Sequence, residues 1–236
     1  VSAPNPEFDR LSADYDELLR DPIRDRVRGA ASEFFHLRKR DLIRGYLNRR
    51  GAAARSLSYL DVGCGKGELL TLLREDFAEV AGCDPSAGML EAGGLQSKGI
   101  DARVVTDEAA IPFEDAHFDF VTAVCVYHHV PVPLRDALTL EVRRVLKPGG
   151  VFSIIEHNPY NPVTRLIVSR NLVDAGAILL RPSETRRRLT RAGFQVDRQE
   201  FFLYFPERWY RKLASLEALL RRVPMGGQYA VFARRS

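Results

Sequence analysis

Cysteine is scarce in this chain of 236 residues, and the three that occur, Cys64, Cys83 and Cys125, stand at no spacing that suits a metal. An odd number of scattered thiols does not make a disulfide framework and suits a reducing compartment, so all three read as small core residues. No uninterrupted apolar run approaches the roughly 20 residues that cross a bilayer, and no membrane span is expected. The opening VSAPNPEFDR has no basic stretch followed by an apolar one; without a secretory signal, the expected location is cytoplasmic. Like charges never run to a block of five or six. The surplus of 35 basic over 31 acidic residues is arginine-rich and spread along the whole chain, with no interleaved aromatic and basic stripe. That describes a solvated, mildly basic surface, and nucleic acid is not an expected partner. Internal repeats are also lacking.

What is present is the composition of a globular domain, with 45% hydrophobic and 28% charged residues. The length supports a single domain over 1–236. Residues 7–50 read as helical: Phe8, Leu11, Tyr15, Leu18 and Leu19 recur at helical spacings, and Asp21-Pro22 is a cap followed by a first-turn proline. This makes 1–50 an N-terminal helical cap. From 57 onward strand-like runs alternate with helical ones, through SLSYLDV, GELLTLLRED, AEVAGCD, SAGMLEAGGLQ and DARVVTD. That rhythm predicts an α/β fold with a mostly parallel sheet. FDFVTAVCVY is a fourth strand, PLRDALTLEVRRVL a helix, and Pro148-Gly149 a type II turn into a fifth strand, VFSIIE. FQVDRQEFFLYF and QYAVFARR bring the sheet to seven strands. Residues 57–156 form the core, and 157–236 supply the remaining segments and final strands.

The first strand ends in LDVGCGKGELL. A phosphate-binding P-loop would need glycine where Leu60 stands and a hydroxyl where Gly67 stands. A dinucleotide fingerprint would need a third glycine where Glu68 stands, and that acid would face a pyrophosphate at the helix start. A third form remains, an acid followed by alternating glycines, in which bare backbone admits a ligand and the acid faces a positive group.

Here the sequence resembles the class I S-adenosylmethionine (SAM) dependent methyltransferases. The resemblance covers residues 57 to about 156 and implies a Rossmann-like class I methyltransferase fold, mostly parallel and seven-stranded, with helices on both faces and SAM as cofactor. It implies that Asp61, Gly63, Cys64, Gly65 and Gly67 hold the methionine and ribose portion. Asp84, with Pro85 beside it, would accept both ribose hydroxyls, and Met89 would pack near the adenine. In VVTDEAAIPFEDAHFDFV, Asp107 beside Glu108 would receive the adenine amino group, and Cys125 would join the cofactor site. Tyr15 would close over the sulfonium through its ring face, or pack as one more aromatic of the cap. No metal is expected.

In an open α/β sheet the carboxyl ends of the fourth and fifth strands face the reaction centre. There the chain reads CVYHHVPV and IIEHNPYNP. His128 and His129 are candidate bases, because imidazole takes a proton near neutrality; Glu156 could orient one of them. The arrangement resembles that of small-molecule methyltransferases, including sugar O-methyltransferases. His157, Asn158, Tyr160 and Asn161 would line the acceptor pocket. The expected activity is methyl transfer to a small-molecule acceptor, at oxygen, in secondary-metabolite or glycan biosynthesis. The rivals are C-methylation of a prenylated quinone or lipid-like acceptor, and a SAM-binding regulatory module without turnover. Finally, PERWYRKLASLEALLRRVP places Trp209, Leu213, Leu216 and Leu220 on one helical face. That face is expected to be buried on the cap, to roof the acceptor pocket, or to touch an anionic membrane surface through 206–222.

Overall fold

A computed structural model describes residues 32–107 and 110–236. Helix α1 (Ser32–Arg49) precedes strand β1 (Ser58–Val62), α2 (Glu68–Leu73), β2 (Glu79–Asp84), α3 (Ala87–Gly93) and β3 (Asp101–Val104). Strand β4 (Phe118–Val124), α4 (Arg135–Val145) and β5 (Leu146–His157) follow. The chain ends with α5 (Pro162–Arg170), α6 (Pro182–Arg191), β6 (Phe194–Phe202), α7 (Glu207–Leu220) and β7 (Gln228–Arg235). The seven strands lie in the order β3-β2-β1-β4-β5-β7-β6. All pairs from β3 to β5 are parallel, and β7 runs antiparallel to both β5 and β6.

The alternation read from the sequence thus gives a parallel sheet covered on both faces. In β1 every residue is buried, and successive side chains point to opposite cores, as a period of two requires. Tyr59 joins Phe77, Phe120 and the α1 residues Ile43 and Tyr46 on one face. Leu60 joins Val121, Phe152 and the α4 and α6 residues Val142 and Leu189 on the other. Helix α1 is seated by Tyr46, whose ring stacks on Phe232 of β7 at 4.1 Å between centroids. The parallel strands β1, β2, β4 and β5 end at one rim of the sheet, at Val62, Asp84, Val124 and His157.

Two expectations need correction. The turn at Pro148-Gly149 lies inside β5 rather than before it: Leu146 pairs with Phe118 and Val151 with Phe120, and the residues between buckle outward, with Gly149 at φ +76°. Helix α7 does not bury its apolar stripe on the cap, the first of the three accounts offered for it. Trp209 and Leu216 are about half exposed, at 51% and 44%, while Glu217 is buried. The reason is polar: Arg38 of α1 pairs with the Glu217 carboxylate and donates to the Tyr210 hydroxyl, its guanidinium 3.8 Å from the Tyr210 ring centroid. Glu217 Oε2 also accepts from the Tyr204 N–H at 3.0 Å. The face carrying Tyr210 and Glu217 therefore turns inward. Of the expected helical cap, residues 32–49 are α1, and the part before Ser32 lies outside the described residues. No helix among the described residues is long and apolar enough to cross a membrane.

Candidate active site

A cavity of about 360 Å³ opens at the carboxyl rim of the parallel strands, and its lining falls into two groups. The first belongs to the loop after β1 and the end of β2. Gly63 and Gly65 have φ of +70° and +55°, and the Gly63 and Cys64 N–H groups donate to Cys83 O at 2.7 and 3.1 Å, tying the loop to β2. Asp84 is aimed by two backbone donors: its Oδ2 accepts from the Gly65 N–H at 2.8 Å and its Oδ1 from the Ser86 N–H at 2.9 Å. Ser86 caps α3 by accepting the Met89 N–H at 3.1 Å, which brings Met89 to the cavity beside Pro85. Asp61, also in the lining, is buried, and its Oδ1 accepts from the Thr122 hydroxyl at 2.5 Å. Burial pushes its carboxyl up to about 7, against the Thr122 hydrogen bond and the charge of Lys39.

Gly67 is outside this lining. A Cβ there would stand 2.4 Å from Leu95 Cδ2, so this glycine serves close packing of the helix start, at a φ of +72°. Thr106 lines the cavity while Asp107 is exposed and does not; Glu108 and Tyr15 lie outside the described residues. Cys125 does line it, at φ +58° directly after β4, which places it at the cavity as the resemblance implied and not only in the core.

The second group is a cluster of histidines and carboxylates. Glu156, fully buried at the end of β5, accepts the Tyr127 N–H on Oε1 at 2.8 Å and meets His128 Nδ1 with Oε2 at 2.5 Å. His128 Nε2 faces Asp174 Oδ1 at 3.3 Å, and His129 Nε2 lies 3.6 Å from the same oxygen. Burial works against charge on His128, but the Glu156 charge and the bonds to both carboxylates outweigh it and raise its affinity for a proton. His129 goes the other way: burial and then the His128 charge push it down to about 4. His157, 5.1 Å from His128 between ring centroids, is lowered to about 3 for the same two reasons. His128, His157 and Asp174 bring ligand-type atoms within 4.8 Å, yet both His128 nitrogens already face carboxylates, so the group is a hydrogen-bonded clamp.

Of the expected acceptor residues only His157 lines the cavity. Asn158 is fully buried and donates to Pro224 O and Gly226 O at 3.1 and 2.7 Å; it braces the turn before β7. Asn161 caps α5, accepting the Val163 and Thr164 N–H groups, and Tyr160 borders a separate depression beside Arg186 and Arg222. The Asn161-Pro162 pair carries the same cap-and-proline signal read at Asp21-Pro22. Lys39 and Asp174 line the cavity without having been singled out. Lys39 is a buried lysine on α1, four residues before Ile43 of the core face, and Asp174 ends a short 3-10 turn with no periodic pattern around it.

A seven-stranded, mostly parallel sheet with β7 inserted antiparallel between β5 and β6 and this cavity at its carboxyl rim matches the class I methyltransferase architecture. A family model described as a methyltransferase domain matches residues 60–154. A ubiquinone biosynthesis O-methyltransferase of Nitrosospira multiformis is 31% identical over 180 residues, covering 70% of this chain and 74% of its own. A sterol 4-C-methyltransferase of Caenorhabditis elegans is 34% identical over 110 residues, 43% of this chain and 32% of that one. Among solved structures, a SAM-dependent methyltransferase of Thermotoga maritima, described as a possible histamine N-methyltransferase, aligns with a TM-score of 0.68 at 16% identity over 98% of this chain and 99% of that one. The chain belongs to the class I SAM-dependent methyltransferases.

Proposed function

We propose that the protein transfers the methyl group of SAM to a hydroxyl of a small-molecule acceptor, in secondary-metabolite or glycan biosynthesis. One observation carries this reading: a single cavity joins the glycine loop and Asp84 to the histidine and carboxylate cluster. Asp84, aimed at the rim of the cavity by its two backbone donors, takes the paired ribose hydroxyls. Asp61 faces the ammonium, Lys39 takes the carboxylate of the methionine portion, and Met89 packs on the adenine. SAM supplies the activated methyl. Bound there, it would give its methyl to the acceptor oxygen and keep the bonding pair on sulfur, and the histidine pair would take the acceptor's proton. The protein contributes alignment, exclusion of water and that base.

A second reading, C-methylation of a prenylated quinone or other lipid-like acceptor, is supported by the sterol-methylating relative and by Leu134, Leu138, Ile167 and Val173 in the lining. Incubation with methyl-labelled SAM and a panel of glycosides, phenols and prenylated quinols, read by mass spectrometry, tests both. Label on oxygen supports the first reading, label on carbon replaces it with the second, and failure of S-adenosylhomocysteine to bind in calorimetry removes both.

A further inference from the structure

Resting on the methyl-transfer reading above, we propose that Gln228 determines acceptor specificity: together with His157 it binds a second hydroxyl of the acceptor, one that is not methylated.

The sheet brings the two side chains together. His157 ends β5, Gln228 begins β7, and they stand directly opposite each other in the antiparallel pair. The next rung outward is bonded, the Asn158 N–H donating to Gly227 O at 3.1 Å, so His157 and Gln228 exchange no backbone bonds with each other. Such pairs hold their side chains closest, with Cα atoms about 4.5 Å apart. By the period of two they share the face of Ile155 and Ala230, the face that α1 covers, and both line the cavity.

Each carries a buried polar atom that the fold leaves unpaired. Gln228 is only 4% exposed; its Nε2 donates to Cys125 Sγ at 3.3 Å, while its Oε1 has no hydrogen-bond partner among the described residues. His157 Nδ1 is likewise buried without a partner among them. Protein interiors seldom leave such atoms unpaired, since they have given up water for nothing in return. At a cavity, a bound molecule completes them. His157 is neutral, lowered to about 3 by burial and the His128 charge. A neutral imidazole donates from one nitrogen, and an amide oxygen only accepts. With Nδ1–H as the donor, the pair offers one donor and one acceptor, which is the complement of a single hydroxyl: its oxygen accepts from Nδ1–H and its O–H donates to Oε1. An ether or carbonyl meets only the first of these, and an ammonium only the second. Turning the amide over, so that the Cys125 S–H donates to Oε1 and Nε2 faces the cavity, reverses both roles and leaves a hydroxyl as the fitting group.

The hydroxyl held here keeps its proton. His157 is too weakly basic to take it near neutrality, and the histidine pair assigned to the acceptor's proton begins one ring away, the His128 centroid 5.1 Å from that of His157. The acceptor therefore presents one hydroxyl to His128 and His129 and a neighbouring one to His157 and Gln228. A diol satisfies both places. A lone hydroxyl leaves Oε1 and Nδ1 buried and unpaired, and the site discriminates against it.

The test uses acceptor pairs that differ by one hydroxyl: dihydroxyphenols with the matching monohydroxyphenols, and methyl glycosides with their monodeoxy counterparts. Each is assayed with methyl-labelled SAM and also titrated by calorimetry into protein saturated with S-adenosylhomocysteine, which reads the preference without turnover. Wild type should favour the best diol over its counterpart by roughly 10-fold or more, in kcat/KM and in affinity. Gln228→Leu, of similar volume, should bring that ratio close to one, chiefly through KM, with S-adenosylhomocysteine affinity at the wild-type value. His157→Phe should narrow the ratio in the same direction, and it decides if Gln228→Leu does not fold. A wild type that treats both members of every pair alike overturns the proposal, and so does an unchanged ratio in Gln228→Leu. Loss of S-adenosylhomocysteine affinity in that variant would assign Gln228 to the cofactor and overturn it as well. Preferential binding of a diol with no label transferred to any acceptor supports the proposal and strikes instead at the methyl-transfer reading.

Discussion

Arg38 and Glu217, 179 positions apart, form an ion pair that fastens α7 to α1, with side chains only 12% and 5% exposed. Removing one member strands a buried charge, which costs about 3–5 kcal/mol. Arg38→Met should therefore lower unfolding stability by about that amount in urea titrations. Adding Glu217→Gln removes the charge but keeps an oxygen for the Tyr204 N–H, and should recover more than half of the loss. A single variant as stable as wild type would mean that the pair contributes little.

Gly67 and Gly149 make a controlled comparison. Both have positive φ, +72° and +76°, but a Cβ at 67 collides with Leu95 whereas one at 149 meets open space. Gly149→Ala should show backbone strain alone, about 1 kcal/mol, and Gly67→Ala should add an overpacking cost of about 1–3 kcal/mol. Equal losses in the two would contradict the role assigned to Leu95.

Asp61 sets a proton count for cofactor binding. Its carboxyl, raised to about 7 by burial, is mostly protonated at pH 6.5 and mostly ionised at pH 8.5. An ammonium bound beside it favours the ionised form, so binding releases a proton below pH 7 and affinity rises with pH until it levels off above. Calorimetry of S-adenosylhomocysteine in buffers of different ionisation enthalpy should show more than half a proton released at pH 6.5, little at pH 8.5, and none in Asp61→Asn.

Lys39→Met should weaken S-adenosylhomocysteine binding by roughly 10- to 100-fold, since a charge-assisted hydrogen bond to a carboxylate is worth about 1.5–3 kcal/mol. The same ligand with its carboxylate converted to an amide should bind wild type and variant alike. A variant that still prefers the carboxylate by the wild-type margin would show that another residue holds it.

Much of this architecture was legible because it rests on local patterns. The alternation of apolar runs set out seven strands, and the glycine loop with Asp84 stood out because chain reversals between strand and helix need glycine at positive φ. The parts that escaped are set by distant partners. Hydrophobic spacing on α7 marked Trp209 and Leu216 as one apolar face without fixing what covers it, and Arg38, far off in sequence, selected the Tyr210 and Glu217 face for the interior. Asp174 sits in a segment without periodicity, and only the stitching of Ile178 to His128 brings it to the cluster. Asn158 and Asn161 looked like pocket residues by proximity to β5, yet their amides were already committed to backbone groups of the turn and of α5.

Among the described residues strand β6 pairs only with β7, and β7 also completes the outer side of β5. During synthesis β5 and β6 therefore emerge before the strand that joins them, each with an open row of amides and carbonyls. The sheet closes only after residues 228–235 have left the ribosome. A stalled or clipped chain lacking β7 would present two adhesive edges at once, which makes such fragments substrates for chaperones and a source of aggregates.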